Sequence, residues 1–159
     1  VSDPILRRDG NLRLAGLPSP GYPVDPIARA DEARRLATAG GGEPYGPATL
    51  LFAMPPEGAV AGWECLVGVA MTGMARPGSV AADGQRLLVE DYRDLNAFCL
   101  GHDGAIRDLG ATWKRCDEHA RRQGYRVRPY WRLQLVHRRL ADGNLHPVAE
   151  VSVFIDKQG

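Results

Sequence analysis

Apolar side chains recur with two periods along the chain, and the alternation of those periods orders it into strands and helices. In "VRPYWRLQLVHRR" (127–139) Trp131, Leu133 and Leu135 share one face, and Tyr130, Arg132 and Gln134 the other. In "HPVAEVSVFI" (146–155) Ala149, Val151, Val153 and Ile155 alternate with Glu150, Ser152 and Phe154. Both are strand patterns. By contrast, Ile106, Leu109, Trp113, Cys116 and Ala120 recur at helical spacing in "GAIRDLGATWKRCDEHARRQG" (104–124), which predicts a helix stopped by Gly124.

A strand is contained in "QRLLVEDYRDLNAFCLG" (85–101), so residues 85–155 read β-α-β-β. The first half reads the same way. "NLRLAGL" (11–17) is a strand, and "DPIARADEARRLATA" (25–39) is a helix capped by Asp25, with Pro26 in its first turn and glycines 40–42 at its end. "GPATLLFAM" (46–54) and "GWECLVGVAM" (62–71) are two further strands. Loops fall where Gly and Pro cluster, among them "ARPGS" (75–79) near the midpoint, and Asp142-Gly143-Asn144 predicts a hairpin turn. We therefore expect an α+β fold of two βαββ repeats, about 5–75 and 80–157, within one domain spanning 1–159. Superimposing "GPATLLFAM" on "RPYWRLQLV" and "WECLVGV" on "AEVSVFI" brings Pro47 over Pro129 and Glu64 over Glu150.

Composition narrows the function class mainly by exclusion. A net charge of +1, with acids interspersed among the arginines, gives no field for nucleic acid. The positive charge is almost all Arg, a bias we read as that of a GC-rich genome. Three cysteines without close spacing argue against both a disulfide framework and a CxxC zinc site, and a reducing cytoplasm suits them. No apolar run is long enough for a membrane span or a secretory leader, so a cytoplasmic protein without membrane contact is expected.

The stretch "FCLGHDGAIRDLGATWKRCDEHARRQGYRVRPYW" (98–131), followed by "AEVSVFI" with its leading Glu, resembles the GyrI-like (gyrase inhibitory protein-like) domain. That domain is also the effector-binding domain of bacterial transcription activators. The resemblance implies two βαββ repeats related by a pseudo-twofold axis, with a concave antiparallel sheet carrying helices on its convex side and a ligand cleft on its concave side. Each strand then has a helix face and a cleft face. The cleft set becomes Leu50, Phe52, Met54, Glu64, Leu66, Gly68, Tyr130, Arg132, Gln134, Glu150, Ser152 and Phe154, with Trp63 available for stacking. Thr49, Leu51 and Ala53 go to the helix side, with Cys65, Val67, Val69, Met71 and Trp131. Many members of the family carry a Glu in the strand matching "PYWRLQL", suited to a lipophilic cation. Here that position is Arg132, which points instead to pairing with Glu64 or Glu150 or to a carbonyl-rich or anionic ligand.

A surface of this composition suits a hydrophobic, polycyclic or aromatic small molecule. Sequestration of a drug or toxin is the leading expectation, and no helix-turn-helix segment is seen ahead of the domain. The resemblance also admits a hydrolase that opens cyclopropane-bearing genotoxins. Tyr130 would then polarise a carbonyl and Glu64 or Glu150 would activate water. A third reading, protein inhibition of DNA gyrase, comes from the family name alone, and homodimerisation is compatible with the sequence. Carboxylates in apolar strands suit acid-base work if Glu64 and Glu150 share one cleft; otherwise each neutralises an Arg at a strand end. Asp103 reads as the cap of the long helix, with His102 beside it. Cys99 is a candidate nucleophile with no base nearer in sequence than His102, and Cys65, Cys116 and Trp113 read as core. His102, His119, His137 and His146 lack metal spacing, and no P-loop, GxGxxG or Gly-x-Ser-x-Gly is present, so neither a metal nor a cofactor is expected.

Overall fold

Eight elements follow one another in the order the periodicity predicts. They are β1 (Ile5–Ser19), α1 (Pro26–Ala39), β2 (Glu43–Phe52), β3 (Cys65–Thr72), β4 (Leu88–His102), α2 (Leu109–Arg122), β5 (Tyr125–Arg139) and β6 (Leu145–Lys157). The computed structural model describes residues 2–76 and 79–157. Pro77 and Gly78 of the midpoint turn, and the side chains of Arg138 and His146, lie outside the described residues.

Local chemistry sets the helix ends. The Asp25 carboxylate accepts from the Ala28 amide at 3.0 Å, and Pro26 opens α1, where a missing N–H costs nothing. Gly124, at φ +87°, turns the chain out of α2 in a left-handed conformation that a side chain would strain. The start of α2 differs from the sequence expectation. Asp103 caps nothing; the chain makes a 3-10 turn at Ile106–Asp108 first, and α2 begins at Leu109. His102 braces that detour. Its Nε2 donates to the Ala105 carbonyl (2.9 Å), an acceptor only, and Nδ1 hydrogen-bonds the Thr112 hydroxyl (2.7 Å).

All strand pairs are antiparallel, and the sheet closes in the order β1-β3-β2-β5-β6-β4. The antiparallel sheet expected to be concave curves far enough to close into a six-stranded barrel, with both helices packed outside, α1 against β1–β3 and α2 against β4–β6. Closure comes from β1 and β4, which pair from Ile5↔Cys99 to Gly16↔Leu88. Their ladder shifts register between Arg8 and Leu12, where Gly10 (φ +70°) and Asp94 (φ +54°) bend the ribbon. Bulges of this kind add the curvature a small barrel needs.

Between the helices and the barrel wall lies one core, including Leu50, Phe52, Trp63, Val67, Leu109, Cys116, Trp131 and Leu133. Inside the barrel lies another, built on Leu12, Leu14, Leu51, Leu66, Leu95, Cys99 and Phe154. Strands β3, β5 and β6 present the faces expected of them, and β2 presents the opposite ones. Leu50 and Phe52 lie on the helix side and Leu51 lies inside. The cause is register: Phe52 pairs with Trp131 and Leu50 with Leu133, and directly opposed residues share a face. Aligning Pro47 with Pro129 carries the face of Trp131 to Thr49, one residue off, and one residue inverts a strand. Phe52 and Trp131 stack at 4.3 Å between ring centroids, which seals the assignment.

Candidate functional site

One end of the barrel opens into a cavity of about 390 Å³. Its floor is Leu51, Leu66 and Tyr130, its wall Leu88 and Tyr92, and two carboxylates, Glu64 and Glu90, reach it. The ladder puts them there. Leu88 pairs with Gly16, Glu90 with Leu14 and Tyr92 with Leu12, so the alternate residues of β4 point inward with the apolar residues of β1. Gly16 makes room: a methyl group there would lie 2.6 Å from Leu66 Cγ, so glycine lets Leu66 lie across the wall. Tyr92 donates its hydroxyl to Glu90. Burial, and then that bond to a carboxylate, raise the Tyr92 pKa well above the usual phenol range, so Tyr92 holds its proton and orients Glu90.

Aromatic rings continue from this cavity into the interior. Tyr92 lies 5.1 Å from Tyr130, Tyr130 lies 5.5 Å from Phe154, and the Arg132 guanidinium sits 5.1 Å from the Phe154 centroid. The Tyr130 hydroxyl accepts from Arg128 at 2.9 Å, which leaves its own proton free to donate.

Arg132 marks the change from apolar to charged interior. It is 3 % exposed and donates through Nη2 to Asp9 (2.6 Å) and Ser152 (3.0 Å). Arg7 extends the network by donating to Asp9 (3.1 Å) and pairing with Glu150 (2.8 Å). The partner of Arg132 is therefore Asp9, a residue the sequence does not single out, in place of Glu64 or Glu150.

The expected site residues thus separate. Glu64, Leu66 and Tyr130 meet at the apolar cavity, which Phe52 borders from the helix-side core. Arg132, Ser152 and Phe154 fill the interior beyond it, and Gln134 and Glu150 lie on the far side beside Arg7. Leu50 and Trp63 are in the helix-side core, where the Trp63 indole donates to the Glu57 carbonyl (3.0 Å), and Met54 is exposed. Glu64 and Glu150 line different cavities: Glu150 pairs with Arg7, and the other carboxylate that lines the cavity of Glu64 is Glu90. The alternation Leu88, Glu90, Tyr92 carried the signal for Glu90, once its inward phase was known.

Cys99 is buried with its Sγ 3.3 Å from the Ser152 hydroxyl, and burial pushes its thiol pKa up. His102, the base nearest to it in sequence, is engaged with Thr112 and the Ala105 carbonyl. Burial pushes Cys65 and Cys116 up to about 12. Ellman's reagent at pH 8 is expected to modify the native protein roughly a hundredfold more slowly than the denatured chain, because thiolate and access are both scarce. One fast thiol in the native protein would restore Cys99 as a nucleophile.

Among the described residues no helix is long and apolar enough to cross a membrane, and no three His, Cys, Asp or Glu side chains cluster as metal ligands would. No protein-family model matches the chain, and no curated protein matches it in sequence. Solved structures do match. The C-terminal domain of EcmrR aligns over 97% of both chains with a TM-score of 0.64 at 12% identity. A hydrolase encoded by lin2189 from Listeria innocua aligns over 97% of this chain and 92% of its own, with a TM-score of 0.57 at 9% identity. SAV2435, solved bound to tetraphenylphosphonium, aligns over 98% and 94%, with a TM-score of 0.52 at 12% identity.

Proposed function

The chain has a GyrI-like effector-binding fold, and from that premise we propose that it binds a flat or polycyclic hydrophobic molecule, preferably a lipophilic cation, in the apolar end cavity. The observation that carries this reading is the cavity's composition: Leu51, Leu66, Leu88, Tyr92 and Tyr130 with two carboxylates, and neither Arg nor Lys among its lining residues. Its volume of about 390 Å³ falls in the range of small-molecule pockets. A delocalised cation loses little hydration on entering, while aromatic faces and carboxylates both attract it. The likeness to a fold solved with tetraphenylphosphonium supports the same ligand class. Sequestration of a drug or toxin is the role we assign to such binding.

We also take the fold to be an internal duplication about a pseudo-twofold axis. The pairings support it: β1-β3-β2 and β4-β6-β5 are equivalent ladders, joined where β1 meets β4 and where β2 meets β5.

Calorimetric titration with tetraphenylphosphonium tests the binding reading. Saturable binding with a Kd on the order of 1–100 μM is expected, and Leu66→Trp, which fills the cavity, should abolish it. Absence of saturation, or binding that survives Leu66→Trp, would overturn the assignment.

A second reading is favoured by one observation: Glu64 and Tyr130 line the same cavity, and the Tyr130 proton is free to donate. Hydrolytic opening of an activated cyclopropane would then use Tyr130 on the conjugated carbonyl and Glu64 to take a proton from the attacking water. A product heavier by one water, lost in Glu64→Gln while binding persists, is the outcome that would select it.

A further inference from the structure

The barrel has a second cavity, of about 480 Å³, at the place equivalent to the first. The ladders establish the equivalence. At the apolar end Pro18 pairs with Leu66 and Gly16 with Leu88. At the other end Gly101 pairs with Glu150 and Cys99 with Ile5. Leu66 thus corresponds to Glu150, Leu88 to Ile5 and, two residues on, Glu90 to Arg7. Where the first cavity has an apolar floor and a carboxylate, the second has a carboxylate floor and a guanidinium.

Five charged side chains line this polar cavity: Arg7 from β1, Arg115 from α2, Glu150 from β6, and Asp3 and Asp103 from the flanking loops. Arg7 and Glu150 are fixed against each other at 2.8 Å. Arg7 is further held by Asp9 at 3.1 Å, while part of its side chain stays exposed. Arg115 donates to the Ser2 carbonyl at 2.5 Å, which uses one of its five N–H groups. Among the described residues, no hydrogen bond or ion pair occupies the carboxylates of Asp3 and Asp103.

We propose that this cavity is a second binding site, for a small hydrophilic zwitterion carrying a carboxylate and an ammonium group. A plain anion would meet three carboxylates there and a plain cation two guanidiniums, so neither is matched by its surroundings. A molecule with both charges places its carboxylate on Arg7 and Arg115 and its ammonium toward Asp3 and Asp103. Bidentate geometry favours guanidinium for the former. Charges of the wrong sign set the specificity as much as those of the right sign do.

The test uses three probes that share a six-carbon chain, 6-aminohexanoate, hexanoate and hexylammonium, titrated into ¹⁵N-labelled protein. The zwitterion is expected to shift the amides of Ile5, Arg7, Gly101 and Glu150 saturably, at least tenfold more tightly than either singly charged analogue. Arg7→Gln and Arg115→Gln should each weaken it by tenfold or more. Arg115 is on an outer helix, so that variant tests the site even if Arg7→Gln disturbs the fold. Equal or tighter binding of hexanoate or hexylammonium would overturn the proposal, as would an absence of saturable shifts. Shifts confined to Leu66 and Glu90 would place the probe in the apolar cavity and overturn it as well. Failure of tetraphenylphosphonium to bind bears only on the other end of the barrel.

Discussion

Asp9→Asn is expected to lower the melting temperature by roughly 6–12 °C, the largest loss of stability among single polar substitutions in this fold. The reason is the residue it abandons. Arg132 is 3 % exposed inside the barrel, and its closest charged partner is the Asp9 carboxylate at 2.6 Å. Removing one partner of a buried pair leaves an uncompensated charge and typically costs 3–5 kcal/mol. The lower part of that range, about 3 kcal/mol, applies here because the Ser152 hydroxyl still receives Nη2 and the Phe154 face still lies under the guanidinium. The Arg132 Nε is already a donor without an acceptor among the described residues, so Asp9→Asn removes the counter-charge from a guanidinium that is not fully paired to begin with. Adding Arg132→Met to Asp9→Asn should recover most of the loss, since an apolar side chain of similar length needs no counter-charge. Thermal unfolding followed by circular dichroism reads both variants. If Asp9→Asn melts within about 2 °C of the parent, the pair contributes little and the interior charge is screened by water.

Replacing Glu64 and Glu90 together by Gln is expected to weaken tetraphenylphosphonium binding by roughly tenfold to hundredfold, the largest change in affinity available without altering the cavity's shape. Two carboxylates several ångströms from a unit positive charge, at a half-open site where solvent screens the attraction, together contribute about 1–3 kcal/mol. Gln keeps the volume and removes the charge. Glu90→Gln should account for more of the effect than Glu64→Gln, because Tyr92 holds Glu90 in place while Glu64 has no such donor among the described residues. A neutral aromatic compound of similar size should bind parent and double variant alike. Equal loss for both ligands would mean that the substitutions damaged the cavity and that its charge selects nothing.

Much of the fold can be read from local pattern because local physics decides it. Asp25, Pro26 and Gly124 act within one turn of themselves, and the alternation in β5 and β6 follows from each strand having one face against a helix. Trp131, Leu133, Val151 and Val153 accordingly lie where their spacing predicts. The same reasoning misplaces β2, since "GPATLLF" is apolar on both faces and offers no phase of its own. Both faces are buried, one in each core, so hydrophobicity alone cannot orient the strand. Asp103 misleads for a related reason: an acceptor before an apolar run is a capping signal, and the intervening 3-10 turn depends on His102 finding Thr112 and the Ala105 carbonyl.

Sequence by itself determined the element order, both ends of α1 and the end of α2, the faces of β3, β5 and β6, and the presence of an apolar surface dotted with carboxylates and tyrosines. Each of these is set by groups a few residues apart, or by the period of one strand. Tertiary structure alone decided that the sheet closes, that Glu64 and Glu90 line one cavity while Glu150 pairs with Arg7 in another, and that Asp9 neutralises Arg132. Those partners are brought together by the β1–β4 ladder, and Arg132 and Asp9 lie 123 residues apart in the chain. Charge pairing acts over a few ångströms of space with no periodicity in sequence, so only the closed barrel determines which carboxylate meets which cation.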